Sequence, residues 1–284
     1  MKIKGLLDDQ PQPQEQQKVD VQIIQPWSNI ILKVKIPDPV FEQLQKVYDY
    51  TMKDWTSFGH QLVGAVDEEP EVTMEIQNKF PEWIEWCLQA TKNFVVMQTQ
   101  QNLVHDKERL NEVMNDEIMA KMQTMWFVNQ KPHEYNPIHV HTNCRVSSVC
   151  YLKTPKKQIR DRKSHYKSDG MITFVNNSGS DTTFSNSTCS FEPKAGDMYL
   201  FGSFQHHMVW PYRSTDPDDL RVSLSFNADV TTRSLLDKQA GEQKKSYEKM
   251  KEYEEKHGSL NFNPKNRKVK DDKSVTDGNI NKSG

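Results

Sequence analysis

The sequence predicts a mainly β domain, a sandwich or barrel such as a jelly roll, with packing helices ahead of it. Two observations predict this. From Met122 onward, short runs rich in Val, Tyr and Phe alternate with Asn, Gly, Asp and Pro: Met125–Asn129, Ile138–His141, Val146–Lys153, Met171–Val175, Thr182–Phe184, Met198–Phe201, His206–Trp210 and Arg221–Asn227. About eight short strands bounded by turn signals are the pattern of a closed or two-layered antiparallel fold. Before Met122, apolar residues instead recur at helical spacing.

The bulk numbers set limits. A chain of 284 residues suits one large domain, or one domain with extensions. Its net charge of −2 provides no basic field for nucleic acid. Hydrophobic residues make up 35% and mean hydropathy is −0.83, so part of the length is solvated tail or loop. Cys87, Cys144, Cys150 and Cys189 form no C-x-x-C pair, which fits a reducing compartment better than a disulfide framework. The N-terminus lacks the apolar stretch of a signal peptide, and no run approaches the roughly 18 apolar residues of a membrane helix. A cytoplasmic protein is expected.

The elements follow in order. Residues 1–18, rich in Gln, Pro and acid, read as a flexible leader. Residues 19–121 read as strands and packing helices of the same domain as the core. Within them, 19–36 hold two β-branched runs split by Pro26-Trp27. Asp38 precedes Phe41, Leu44, Val47, Tyr48 and Met52, a helical stripe ending near Trp55. Residues 56–80 read as loop, and Pro81 opens a second helix with Ile84, Cys87, Leu88, Thr91, Phe94 and Val95 on one face. Residues 101–120 fit either more helix or a flap. Residues 122–235 form the β core, and 236–284 a charged tail. In that tail a helix over 237–257 stops at Gly258, and 264–284 are too polar to pack.

Chemistry concentrates in the core. On a strand, residues i and i+2 share a face, so His139 and His141 can present two imidazoles to one metal ion. A third ligand must come from a distant strand, where His206 and His207 are adjacent. A regular strand turns one of them inward, and periodicity does not choose which. Taken alone, such histidines are more often structural than metal-binding. The run Arg221–Asn227 alternates Arg221, Ser223 and Ser225 with Val222, Leu224 and Phe226. That is either a polar-out, core-in strand, or a strand turning Arg221 and Ser223 into a barrel mouth. There the guanidinium fork could hold a carboxylate.

Five pieces occur in order: His139-Val140-His141, SSVCYLKTP from Ser147 to Pro155, PKAGDMYLFGS from Pro193 to Ser203, HMVWPY from His207 to Tyr212, and RVSLSFN from Arg221 to Asn227. Together they resemble the 2-oxoglutarate/Fe(II) oxygenases related to prolyl 4-hydroxylase, especially versions carried by tailed bacteriophages, over roughly residues 122–230. The resemblance implies a double-stranded β-helix, with Fe(II) as cofactor and 2-oxoglutarate and O2 as co-substrates. It implies that His139, His141 and His207 are the metal ligands. Arg221 would grip the distal carboxylate of 2-oxoglutarate, Ser223 would assist, and either Tyr135 or Asn136 would supply another co-substrate contact. The wider family usually has H-x-D, and here His141 stands in place of the carboxylate. Three neutral ligands leave the full charge of Fe(II), which dianionic 2-oxoglutarate could offset.

The activity so implied is hydroxylation of a peptide residue, prolyl by analogy, or of a small molecule, with release of succinate and CO2. A host-cytoplasm location would follow from a phage origin. Two rival readings are a non-catalytic jelly-roll module, for binding or as a virion accessory, and a cupin-like metal enzyme without 2-oxoglutarate. Arg221 argues against the second.

Overall fold

Alternation of side chains along the strands explains how one sheet serves two layers. In the computed structural model, which describes residues 29–161, 167–176 and 186–257, β9 (Arg221–Thr232) turns Val222, Leu224, Phe226, Ala228 and Val230 to a core shared with helices. Its other face, with Arg221, Ser223, Ser225 and Asn227, lines a cavity. The strand is therefore core-in on one side, while its polar side faces a protein interior rather than bulk water.

Among the described residues the strands form two antiparallel sheets. The first also contains β1 (Ile31–Lys35), β7 (Asp197–Gly202), β4 (Val146–Lys153) and β2 (Ile118–Gln130), in the order β1-β7-β4-β9-β2. The second runs β3 (Asn136–His139), β8 (His207–Val209), β5 (Ile172–Val175) and β6 (Thr188–Phe191), in the order β3-β8-β5-β6. From β2 to β9 the chain alternates between sheets as a jelly roll does, apart from the β5–β6 pair within the second sheet, with β1 added at one edge of the first. Val149, Tyr151, Tyr199 and Phe201 of the first sheet pack with Ile172 and Phe174 of the second.

The helices cover the other face of the first sheet. α1 (Asp38–Thr51) buries Leu44, Val47 and Tyr48, and α3 (Pro81–Asn102) buries Trp83, Cys87, Ala90, Thr91 and Phe94. These meet Met125, Phe127, Cys150, Leu152, Met198 and Leu200. Burying one large apolar side chain contributes about 1.5–3 kcal/mol, so this two-sided burial anchors the scaffold under the cavity. β2 contains a bulge between Met122 and Thr124, which lets Met122 and Met125 both face the helices.

Several expectations are corrected. α1 ends at Thr51, with Met52 as its cap, rather than near Trp55. Residues 56–80 include α2 (Met74–Lys79), capped by Thr73 Oγ1 accepting from Ile76 N–H. Residues 101–120 divide into the end of α3, the short α4 (Lys107–Met114) and the start of β2, so the β core begins before Met122. β6 had no expected counterpart, because Thr188-Cys189-Ser190-Phe191 is too polar to stand out. The expected strand Thr182–Phe184, the leader, the first β-branched run, Gly258 and the segment beyond it lie outside the described residues.

The chain divides into two compact units, residues 1–234 and 235–284. The helix α5 (Arg233–His257) supplies the described part of the second, with Tyr247, Met250 and Tyr253 exposed. Among the described residues no helix is long and apolar enough to cross a membrane.

Candidate metal centre and co-substrate pocket

The three histidines converge, though not by the route their spacing suggests. β3 ends at His139, so His141 sits in the following loop, fixed by its backbone N–H donating to Ser203 O at 2.9 Å. Antiparallel register places His207 of β8 directly opposite His139. The register slips between Asn136 and His139, where Pro137 has no N–H to give. Ligand nitrogens of His139, His141 and His207 all lie within 4.8 Å of one another. His206 is outside this group.

Hydrogen bonds set the tautomers. His139 Nδ1 lies 2.7 Å from Pro137 O, and His207 Nδ1 lies 2.9 Å from Gln205 O. A carbonyl can only accept, so each Nδ1 carries the proton and each Nε2 keeps a free lone pair. His141 Nε2 is 3.3 Å from His207 Nε2. Two nitrogens each about 2.1 Å from one ion, at tetrahedral to octahedral angles, stand about 3.0–3.4 Å apart. Asn227 hydrogen-bonds the His141 side chain and accepts from Ser147 Oγ at 2.8 Å. Such outer contacts orient metal-binding imidazoles. Sequence reading gave Asn227 no role, since its partner comes from a loop more than 80 residues away in the chain.

Burial keeps the imidazoles neutral, as ligation requires. Desolvation lowers His139 below its ordinary value. It takes His141 to about 4, with His139 adding to the effect, and His207 falls well below the usual range. The unfolded chain takes up these protons near 6.5. The metal-free fold therefore loses stability as pH falls from there toward the folded values. Metal affinity is expected to persist below pH 6.5 and to collapse nearer the range of His141. Anaerobic Fe(II) titrations from pH 7.5 to 4.5 check this, and a break centred at 6.5 would contradict it.

The same cavity, about 270 Å³, extends from the histidines to Arg221 and Ser223. Arg221 is 2% exposed. It donates to Gly170 O at 2.8 Å and to Gln130 Oε1, and it lies over the Tyr212 ring. Among the described residues no carboxylate pairs with it. A guanidinium has five N–H donors, so these contacts leave capacity for an anion. Tyr151 stands opposite Ser223 in the β4–β9 register, and its buried hydroxyl has no partner among the described residues. A buried cation without an anion, beside the unpaired Tyr151 hydroxyl, fits the carboxylate of a dianionic co-substrate. Tyr151 escaped the sequence reading because only strand register shows which face it takes.

The pair Tyr135 and Asn136 is separated. Asn136 lines the cavity, while Tyr135 is 43% exposed and is not part of its wall. Cys150 is fully buried in the helix-side core, and Cys144 lies 3.6 Å from Ser147 Oγ.

Glu69 also lines the cavity, and nothing in its local sequence singled it out. Burial, with Glu134 nearby, raises its carboxyl to about 7 from 4.5. Above pH 4.5 the unfolded chain ionises more readily, so the fold loses stability as pH rises to about 7. Glu69→Gln should therefore stabilise the fold at pH 8 more than at pH 5, by up to about 3 kcal/mol. Urea unfolding at both pH values checks this, and an equal effect at both would contradict it.

Residues 124–227 match the family model described as "Putative 2OG-Fe(II) oxygenase". That span contains His139, His141, His207, Arg221, Ser223 and Tyr151. Among solved structures, the chain is similar to a viral collagen prolyl hydroxylase from Paramecium Bursaria Chlorella virus-1, at 11% identity over 70% of this chain and 94% of that one, TM-score 0.40. It is similar to a Pseudomonas putida prolyl-4-hydroxylase at 14% identity, over 69% and 91%, TM-score 0.38. It also aligns with a 2OG-Fe(II) oxygenase family oxidoreductase from Burkholderia pseudomallei at 14% identity and TM-score 0.30, covering 46% of this chain and only 56% of that one. No curated protein matches the chain. The match to the 2OG-Fe(II) oxygenases, a family that uses Fe(II) with 2-oxoglutarate and O2, thus falls on the jelly-roll core that carries the histidine cluster and Arg221.

Proposed function

We propose that the chain hydroxylates a C–H bond of a peptide residue or small molecule, with 2-oxoglutarate leaving as succinate and CO2. The observation that carries this is the shared cavity: three converging imidazoles at one end, and at the other a buried guanidinium with no carboxylate partner among the described residues. His139, His141 and His207 would hold Fe(II). Bound Fe(II), with O2 and 2-oxoglutarate, supplies the oxidising power.

The chain's own residues bind and orient. Arg221 meets the distal carboxylate of 2-oxoglutarate, with Ser223 and the Tyr151 hydroxyl completing the hydrogen bonds. Pro137 O, Gln205 O and Asn227 keep the imidazole rings in ligating orientation. The apolar walls, among them Val149, Ile172, Phe201 and Val209, exclude water from the co-substrate. The test is succinate formation from 2-oxoglutarate by the Fe(II)-loaded protein under O2. Formation that requires both Fe(II) and O2 supports the reading. Absence of succinate, with Fe(II) and 2-oxoglutarate both bound, would leave a binding module instead.

A further inference from the structure

Beyond the metal and the co-substrate anchor, the cavity has a third region that neither uses. Residues 68–72 run antiparallel beside β2. Val72 N–H donates to Met125 O, Phe127 N–H to Pro70 O and Asn129 N–H to Glu68 O, at 2.8–2.9 Å. Glu71 pairs with Trp126, so the register sets Glu69 against Val128, and Trp126 and Val128 both line the cavity. Alternation thus directs Glu69 to the cavity face.

Glu69 is 2% exposed, yet among the described residues no hydrogen bond or ion pair reaches its carboxyl, and its Oε1 is fully buried. The neighbouring acids differ. Glu68 pairs with Lys131 at 2.9 Å and with Asn129. Glu134 accepts from the backbone N–H groups of Asp67 and Lys131, at 3.1 and 2.7 Å. Glu69 alone of these three is left unsatisfied inside the wall of the site. A buried polar atom without a partner costs about 1–3 kcal/mol and calls for an explanation. Beside it, Phe58 stacks on Trp126 with ring centroids 5.1 Å apart, and the Trp126 ring in turn lies 6.0 Å from that of His141. A carboxyl next to aromatic faces is complementary to an organic cation. The surrounding acids add negative potential, which favours a cation and opposes an anion.

Resting on the oxygenase reading above, we propose that Glu69, Phe58 and Trp126 form the substrate-recognition subsite, and that the substrate carries an ammonium or guanidinium group on an aliphatic chain. The cation pairs with the Glu69 carboxylate, and its methylenes lie along the Phe58–Trp126 wall toward the histidines. A neutral substrate of the same shape leaves Glu69 without a partner and binds less well.

The test uses the full chain, held anaerobically with Fe(II) and 2-oxoglutarate, and calorimetric titration with three probes: N-acetyl-lysine methylamide, N-acetyl-arginine methylamide and the neutral N-acetyl-norleucine methylamide. At least one cationic probe is expected to bind 10-fold or more tightly than the norleucine probe. Glu69→Gln should abolish that preference, and Glu69→Asp should retain part of it. Equal affinity for cationic and neutral probes in the wild-type chain overturns the proposal without reference to any variant. So does a preference that survives in a folded Glu69→Gln chain. Fe(II) and 2-oxoglutarate binding, measured first in the wild-type chain, separates the two readings. If neither binds, the oxygenase reading fails. If both bind but no cation preference follows, only the subsite fails.

Discussion

Arg221→Ala is expected to weaken 2-oxoglutarate binding by roughly one to several orders of magnitude while leaving Fe(II) binding close to wild type. The guanidinium is 2% exposed and has no carboxylate partner among the described residues. Its bond with the co-substrate would therefore form in a desolvated setting. Removing one member of such a pair typically costs about 2–5 kcal/mol, and each 1.4 kcal/mol is about tenfold in Kd. The mutation also strands Gly170 O and the Gln130 side chain, which now accept from Arg221. A melting curve should accompany the titration to separate lost affinity from lost fold. Arg221→Lys keeps the charge but loses the planar fork, so its affinity should lie between the two. Wild-type 2-oxoglutarate affinity in a folded Arg221→Ala chain would remove Arg221 from the pocket's function.

His207→Ala is expected to lower Fe(II) affinity by on the order of a hundredfold or more, at least the loss usually caused by removing outer contacts to a metal ligand. His207 is opposite His139 in register, and its Nε2 is 3.3 Å from that of His141. Its loss leaves two nitrogens that cannot enclose an ion. His206→Ala should bind Fe(II) close to wild type, because His206 lies outside the cluster. The opposite result for the two adjacent histidines would reverse the assignment. Anaerobic titration of both variants, with Fe(II) as the probe, reads this directly.

Much of this arrangement was legible in the sequence where a repeating pattern carried it. The strand Val146–Lys153 was read with the bounds the structure shows, because its turn signals are close on both sides. Alternation along Arg221–Asn227 correctly separated the cavity face from the core face. What alternation could not show was that both faces are covered. The convergence of His139 and His141 was anticipated for a partly wrong reason. The pair straddles the end of β3, and it is the loop's bond to Ser203 that brings His141 inward.

Residues whose roles depend on register or on distant loops were not legible. Tyr151 becomes a pocket residue only through its pairing with Ser223. Glu69 becomes one only because residues 68–72 run along β2, a segment whose mixed composition reads as loop. Asn227 was visible as the end of a motif, but its contact with His141 was not. Choosing between Tyr135 and Asn136 likewise needed the turn of the chain into β3, which points one into the cavity and leaves the other exposed.

One Fe(II) and one 2-oxoglutarate are expected to meet in this cavity. Anaerobic calorimetric titration of 2-oxoglutarate into the protein, with and without one equivalent of Fe(II), tests it most directly. One 2-oxoglutarate per chain is expected, bound much more tightly when Fe(II) is present, with that enhancement lost in His207→Ala. Binding that is indifferent to Fe(II), or no binding at all to a folded chain, would contradict it.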